Sequence, residues 1–310
     1  MRDLIFACMT SLGEVEKETL MLARSIRAFA GELCYNPIWV LLSQREEDLS
    51  EETRQELFSL GARLIPFEIE PSAQKFPFAS YVTAAGVAEG LAQGQGSYLA
   101  WMTPDTLILQ EPRAFLLKAG KSLGGRSVHL KLLGSGWDEP INEFWDLVYR
   151  QCQVETDRIF AMQTTVDEEW VRAYFNAGLL VVRPERGLLR AWQVNFERTY
   201  RLPEFEAFYE QNDLYKIFIH QAILTGSILS YLRQEEIQQL PFEMNYPLHL
   251  HTRVAAAHRP KRLNELITCR YEDYNEFFGN PKWESLLPAD EPLRSWLHQQ
   301  GKAAQALPGI

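Results

Sequence analysis

YLAWMTPDTL, Tyr98 to Leu107, is an apolar run that breaks at a turn and then resumes. The pattern over Ser97–Met102 predicts a buried central strand, which ends at Thr103-Pro104-Asp105 before Leu107–Leu109 continues as a short extended piece. The stretch therefore places an acidic residue, Asp105, at the carboxyl end of a core strand. In open α/β sheets, ligands bind at that edge.

The chain on both sides of this stretch alternates between strand and helix patterns. Further strands are predicted at Asp3–Thr10, Pro37–Leu42, Arg63–Phe67, Ser127–Leu132 and Gly178–Val182. Helices are predicted at Val15–Ala30, Leu49–Leu60, Val82–Leu91, Asn142–Cys152, Gly187–Tyr200 and Leu214–Leu224. This alternation predicts an α/β fold with a mostly parallel central sheet and helices on both faces. From Pro241 onward the pattern becomes irregular.

Composition excludes several classes of protein. The 310 residues, 46% hydrophobic, can bury a substantial core. A net charge of -10 argues against general affinity for nucleic acid or anionic lipid, which are also negative. No window approaches the ~20 apolar residues of a membrane span, and the apolar run in Met1–Ala7 is too short for a signal peptide. We therefore expect a cytoplasmic protein without a transmembrane segment.

Several short motifs follow one another in a fixed order. They are FACMT (Phe6–Thr10), SIR (Ser25–Arg27), YLAWMTPDTL, FNAGLLVV (Phe175–Val182), HQAIL (His220–Leu224) and LPFEMNY (Leu240–Tyr246). In order and spacing they resemble the nucleotide-diphospho-sugar transferases of GT-A fold, and are similar to family 8, which includes the glycogenin-like and lipopolysaccharide glycosyltransferases. The resemblance implies a nucleotide-sugar-binding domain at residues 1–251, with residues 252–310 as an extension packed on it.

The resemblance also implies a cleft that binds a nucleotide-diphosphate sugar. The donor-binding residues it implies are Thr10, Ser11, Thr103, Asp105, Asn176 and Gly178. Two further residues are candidates for a catalytic role. His220 stands where the family carries an aspartate in its "DQ" helix, and Gln221 keeps the matched position.

The family's Asp-x-Asp motif has a direct physical purpose. Its two carboxylates supply hard oxygen ligands to Mn²⁺ or Mg²⁺, and the cation neutralises the diphosphate leaving group. Here Thr103 replaces the first carboxylate, so we expect a cation at Asp105 to be weakly held or absent. Family members often add a histidine from the C-terminal region. His249 and His251, which share one face if their segment is extended, could complete a minimal metal site with Asp105.

We therefore expect a glycosyltransferase of hexosyltransferase type that uses a nucleotide-diphosphate sugar and an unidentified acceptor, which could be a glycan, a lipid or a protein. Two alternatives stay open. Thr103 and His220 are also consistent with an inactive nucleotide-sugar-binding or scaffolding protein that retains the fold. A metal-independent transferase could instead use a basic cluster that also fits a solvated cationic loop: Arg253, Arg259, Lys261 and Arg262.

Overall fold

A computed structural model describes residues 3–43, 45–279 and 283–306. The strands are β1 (Leu4–Thr10), β2 (Ile38–Leu42), β3 (Ala62–Pro66), β4 (Tyr98–Met102), β5 (Thr106–Ile108), β6 (Leu123–Gly125), β7 (Ala161–Gln163), β8 (Trp170–Arg172), β9 (Leu179–Val182), β10 (Ile237–Gln239), β11 (Tyr246–Pro247) and β12 (Thr268–Arg270). The helices are α1 (Glu14–Phe29), α2 (Glu51–Ser59), α3 (Pro71–Gln74), α4 (Ala79–Ala92), α5 (Glu143–Cys152), α6 (Leu188–Thr199), α7 (Pro203–Gln211), α8 (Asp213–Tyr231), α9 (Trp283–Leu286) and α10 (Leu293–Ala306).

The main sheet has seven strands in the order β10-β6-β9-β4-β1-β2-β3. Its neighbouring strands pair in parallel except at β9, which is antiparallel to β4 and β6. The registers place Cys8 beside Met102, and Met102 beside Leu179. The carboxyl ends of β1 and β4 therefore meet the start of β9 at one edge. The predicted mostly parallel sheet is confirmed.

Both faces of the main sheet are covered by helices. Because successive side chains of a strand point to opposite faces, β1 contributes to two separate cores. Ile5 and Ala7 pack in a cluster with α4, α6 and α8. Leu4, Phe6 and Cys8 pack in a second cluster with α1 and α2. Among the described residues, no helix combines the length and apolarity that crossing a bilayer requires.

A second, three-stranded sheet in the order β11-β12-β5 returns the C-terminal part of the chain to the turn after β4. β12 is antiparallel to β5, and Arg270 is paired with Thr106. Further along, the Trp296 ring packs edge-on against Phe29 of α1, with ring centroids 5.2 Å apart. These contacts join the two parts of the chain. The division at residue 251 stays a prediction.

Two sequence-based element predictions differ from the structure. The strand expected at Ser127–Leu132 is wrong: the sheet uses β6 instead, and Ser127 makes an isolated bridge to Phe175. After β6 the chain leaves the main sheet, and Ser127 donates its hydroxyl to the Gln163 carbonyl. α8 also extends beyond its predicted end. Its residues from Ile219 to Leu229 are all buried, which suits a helix packed against α5, α6 and α7.

Candidate active site

The edge where β1, β4 and β9 meet brings together most of the predicted donor-binding residues. Thr10 at the end of β1 is fully buried, and its hydroxyl accepts a hydrogen bond from Thr19 at 3.0 Å. Ser11, the next residue, is partly exposed. Of this pair, Ser11 is therefore the residue whose side chain can reach a ligand.

Asp105 forms an ion pair with Arg270, a residue that the sequence did not indicate. Arg270 donates from Nε to both carboxylate oxygens at 3.1 Å and from Nη2 to Oδ2 at 2.8 Å. The pairing of β12 with β5 sets this geometry, since Arg270 lies opposite Thr106, next to Asp105 in the chain. The Asp105 carbonyl also accepts from the Tyr271 amide at 3.1 Å. Asp105 is thus held through its side chain and its backbone.

The Asp105–Arg270 pair is charged throughout the physiological pH range. Burial alone would raise the pKa of Asp105, which is 5% exposed. The Arg270 charge, its hydrogen bonds and one from Thr103 outweigh burial and hold that pKa below its ordinary value. Burial likewise would lower the pKa of Arg270, but the Asp105 carboxylate raises it above the ordinary value. A forked, charge-assisted pair of this kind is among the stronger polar contacts in proteins.

Asn176 and Gly178, at the approach to β9, lie beside this pair. The Asn176 side-chain oxygen accepts from the Gly178 amide at 2.8 Å and from Asn245 Nδ2 at 3.0 Å. A Cβ on residue 178 would meet Asn176 Oδ1 at 2.9 Å and Arg270 Nη1 at 3.0 Å. A glycine at this position therefore leaves the guanidinium room to lie against the start of β9.

α8 carries His220 and Gln221, and Gln221 contacts the same turn. The Gln221 side-chain oxygen accepts from the Ala177 amide at 3.0 Å and so holds the turn that carries Asn176. The His220 ring stacks on Phe78, with centroids 4.1 Å apart, and its Nδ1 lies 2.8 Å from the Ile217 carbonyl oxygen. Burial lowers the pKa of His220 to about 4, so the imidazole is uncharged at neutral pH.

The two histidines predicted as metal ligands do not share a face. Residues Leu248–Arg253 form a 3₁₀ helix and not the extended segment that the prediction assumed. With three residues per turn, positions i and i+2 point in different directions. His249 Nε2 lies 3.4 Å from the Glu272 carboxylate, whereas His251 is buried with Nδ1 2.8 Å from the Tyr246 hydroxyl.

The side chains present do not fit the expected Mn²⁺ or Mg²⁺. Both Asp105 oxygens already accept from Arg270, whose positive charge opposes a divalent cation at that position. The Thr103 hydroxyl supplies no charge. Within the described ranges, no three His, Cys, Asp or Glu side chains are grouped so that they could hold a metal ion. The metal site expected at Asp105, His249 and His251 stays a prediction that the observed donor set does not favour.

A second carboxyl group in the cleft also escaped the sequence analysis. Glu18 lies on α1, and its pKa is raised to about 8, first by burial and then by the nearby Asp105 charge. Glu18 is therefore mostly protonated at neutral pH and adds little negative charge beside Asp105. Nothing in its local sequence, an acidic helix start, distinguishes it from its neighbours, the exposed Glu14 and the buried Glu16.

Two arginines of the predicted basic cluster have partners elsewhere than at Asp105. Arg259 Nη2 donates to the Thr252 carbonyl at 2.8 Å and to the Val254 carbonyl at 2.6 Å. Arg262 pairs with Asp290 at 2.5 Å. These contacts assign the two arginines a local structural role. Arg270 is the arginine that reaches the predicted donor site, and only the pairing of β12 with β5 places it there.

Two surface cavities lie elsewhere, against α6, α7 and α8 and against α3, α4 and α6. Their volumes are about 440 and 340 Å³. Phe76 and Lys216 line the first, Thr83 and Gln193 line the second, and Tyr200 and Arg201 contribute to both. Neither cavity is lined by a predicted donor-binding, catalytic or metal-ligating residue. The residues around Asp105 are thus separate from both cavities.

A protein-family model described as the Rhodobacterales glycosyltransferase domain matches residues 6–215, about two thirds of the chain. The match covers β1 through α7 and ends before His220 and Arg270. Among curated proteins, none matches this sequence.

Three glycosyltransferases are among the solved structures that match this chain. The galactosyltransferase LgtC, in complex with donor and acceptor sugar analogues, covers 99% of this chain and 97% of its own at 17% identity and a TM-score of 0.48. The WbbM bifunctional glycosyltransferase in its apo form covers 96% and 51% at 12% identity and a TM-score of 0.50. Mouse xyloside xylosyltransferase 1 in its apo form covers 87% and 97% at 10% identity and a TM-score of 0.49. The WbbM match supports a shared fold.

Proposed function

This chain belongs to the Rhodobacterales glycosyltransferase domain family, and from this membership we propose that it transfers a sugar from a nucleotide-diphosphate donor at the cleft around Asp105. The observation that carries the proposal is the Asp105–Arg270 pair at the carboxyl ends of β1 and β4. That edge is where ligands bind in open α/β sheets. A cytoplasmic location stays part of the proposal.

The proposed reaction breaks one bond and forms one. The bond between the anomeric carbon and the diphosphate oxygen breaks, and its electron pair stays on the departing nucleoside diphosphate. The acceptor hydroxyl oxygen forms the new bond to the anomeric carbon and loses its proton. The products are the glycoside, the nucleoside diphosphate and one proton. Charge develops on the leaving group, so the cleft has to supply positive charge or hydrogen-bond donors there.

Five of the predicted residues have roles that their positions and contacts support. Ser11, partly exposed at the end of β1, faces the nucleotide, and Asp105 orients the positive group at the diphosphate. Asn176 contributes an amide beside the donor sugar, because amides suit recognition of hydroxyl groups. Gln221 acts as a positioning residue for the Ala177 turn. His220, uncharged at neutral pH and buried, acts as a positioning residue whose ring supports the exposed Phe78 on the acceptor side.

The alternative of an inactive scaffold is less well supported than the transferase. Its evidence was the missing carboxylate at Thr103 and the missing aspartate at His220. Family membership favours a transferase, and the ion pair at Asp105 retains a charged group at the expected position. The acceptor, whether glycan, lipid or protein, is left open by the proposal.

A thermal-shift experiment tests the donor class. The purified protein is melted with uridine, guanosine, adenosine and thymidine diphosphates, each with Mn²⁺ and with EDTA. A ligand that binds only the folded state at 100 times its Kd stabilises it by about 2.7 kcal/mol, so we expect the melting temperature to rise by several degrees with one nucleotide. The matching nucleoside without its diphosphate is the control and should give a much smaller rise. No rise with any diphosphate would favour the scaffold.

A further inference from the structure

We propose that the Arg270 guanidinium, held by Asp105, binds the donor diphosphate directly and supplies the positive charge that a divalent cation would otherwise bring to this cleft. The inference rests on the proposed function, since it assigns the diphosphate-binding group of that same site. It replaces the arginines of the 253–262 loop, which the sequence had suggested for a metal-independent reaction.

The free edge of Arg270 points to a ligand. A guanidinium carries five N–H donors, and the Asp105 contacts use the one on Nε and one on Nη2. Across the described residues, Nη1 makes no hydrogen bond, and the Arg270 side chain is 21% exposed. Three N–H groups are therefore left to donate. Two of them are on Nη1, next to Gly178, where an added Cβ would come within 3.0 Å of that nitrogen.

The charges at the site balance as they would in a metal centre. Two carboxylates with one divalent cation are neutral overall and present a positive face to the ligand. Asp105 with Arg270 is likewise neutral overall and presents a positive edge. Thr103 removes one negative charge from the site, and Arg270 in place of a divalent cation removes one positive charge, so the two changes balance. Glu18, protonated at neutral pH, leaves this balance nearly unchanged.

The guanidinium also suits the chemistry of a diphosphate. Its planar fork can donate two parallel hydrogen bonds to phosphate oxygens, which a spherical cation cannot do. Asp105 fixes the plane of the fork from the opposite side, so little side-chain freedom is lost when the ligand binds. Arg270 would then stabilise the negative charge that accumulates on the nucleoside diphosphate as the glycosidic bond breaks.

The first test uses the unmodified protein and isothermal titration calorimetry. Uridine, guanosine, adenosine and thymidine diphosphates and inorganic pyrophosphate are titrated in EDTA and again in Mn²⁺. We expect the Kd of the preferred nucleotide to agree within about twofold between the two conditions. Binding that needs Mn²⁺ and disappears in EDTA would overturn the role of Arg270 and leave the proposed function intact. Absence of binding under every condition would remove the proposed function as well.

Variants then identify the arginine. Arg270→Lys keeps a positive charge but loses the fork, and we expect donor Kd in EDTA to rise at least tenfold. The double variant Arg270→Gln with Asp105→Asn guards against misfolding, because it leaves no unpaired buried charge, and it should bind still more weakly. Arg259→Ala is the matched control in the predicted basic cluster and should bind as the parent does. Loss of binding in Arg259→Ala, with binding retained in the Arg270 variants, would reject the inference.

Discussion

Two acidic residues near the proposed donor site, Asp105 and Glu18, differ in their charge at neutral pH. Asp105 and Glu18 are both carboxylic acids in buried surroundings, yet their pKa values move in opposite directions. Desolvation raises both pKa values. Arg270 is hydrogen-bonded to Asp105 and lowers its pKa strongly, whereas it acts on Glu18 only through the charge at a distance. Asp105 is ionised as a result, and Glu18 keeps its proton. The cleft can therefore accept an anion with little opposition from its own acids.

The raised pKa of Glu18 predicts a pH-dependent stability. The Glu18 carboxyl ionises near its ordinary value of 4.5 in the unfolded chain and near 8 in the folded protein. Between these values the unfolded chain releases a proton that the folded protein keeps, so this group's contribution to stability falls as pH rises. Glu18→Gln stays uncharged and removes that loss. We expect the melting temperature of the variant, relative to the parent, to increase from pH 5 to pH 8.5.

Thermal unfolding at pH 5, 7 and 8.5 measures this difference. Glu52→Gln, on the exposed face of α2, is the control and should show no comparable trend. The other charged groups near Glu18 are Glu14 and Asp273, which act in the same direction as Asp105, and Arg270, which opposes them. A difference between Glu18→Gln and the parent that stays constant with pH would contradict the raised pKa.

Among the secondary-structure elements, the short strand β12 and the start of β9 shape the site. β12 spans three residues, but it is paired on both sides, with β11 and with β5. This pairing directs Arg270 over the start of β9, where Gly178 leaves space for the guanidinium. Two elements that are far apart in the chain thus define one edge of the cleft.

Gly178→Ala tests this fit between elements. The added methyl group would lie 3.0 Å from Arg270 Nη1 and 2.9 Å from Asn176 Oδ1, so at least one of them has to move. Overpacking of this kind typically costs about 1–3 kcal/mol, and we expect donor Kd, measured by calorimetry, to rise about tenfold. Gly90→Ala in α4 is the control, since its nearest contact is 3.7 Å away. Equal donor binding by parent and Gly178→Ala would indicate that Arg270 does not use this edge.

In the whole molecule, the C-terminal part of the chain contributes to the main domain. The segment after residue 251 supplies β12 to the second sheet, and α10 packs against α1. Arg24 on α1 donates to the Gln300 side chain at 2.9 Å. Because these contacts tie residues after 251 to α1 and to the second sheet, we expect the two parts of the chain to unfold together.

Leu297→Ala tests this cooperativity. Leu297 on α10 is 1% exposed within a hydrophobic cluster that includes Tyr271 and Phe278. Removing a buried leucine side chain costs about 2–5 kcal/mol, so we expect one calorimetric transition, shifted down by several degrees. Ser295→Ala, at an exposed position on the same helix, should melt like the parent. Two separate transitions would instead show that residues 252–310 fold independently of 1–251.

Much of the fold followed from local sequence patterns. The hydrophobic runs of β1, β4 and β9 are strong periodic signals, and parallel strands end at a common edge. These two facts were sufficient to predict that Thr10, Ser11 and Asp105 would lie close together. Asn176 and Gly178 join them because the antiparallel strand β9 starts at that edge. The short strands β6 and β12 were missed because three residues are too few for a period to be recognised.

The chemistry of the site depended on contacts that no local pattern encodes. Arg270 is separated from Asp105 by 165 positions in the chain, and the pairing of β12 with β5 brings them together. The protonation of Glu18 depends on burial, which is set by packing across the whole domain. The side chains of His249 and His251 point in different directions because their segment forms a 3₁₀ helix. The residue types and the ends of the strands are local properties of the sequence. The hydrogen-bond partners and protonation states of side chains are decided only when segments distant in the chain pack together and bury them.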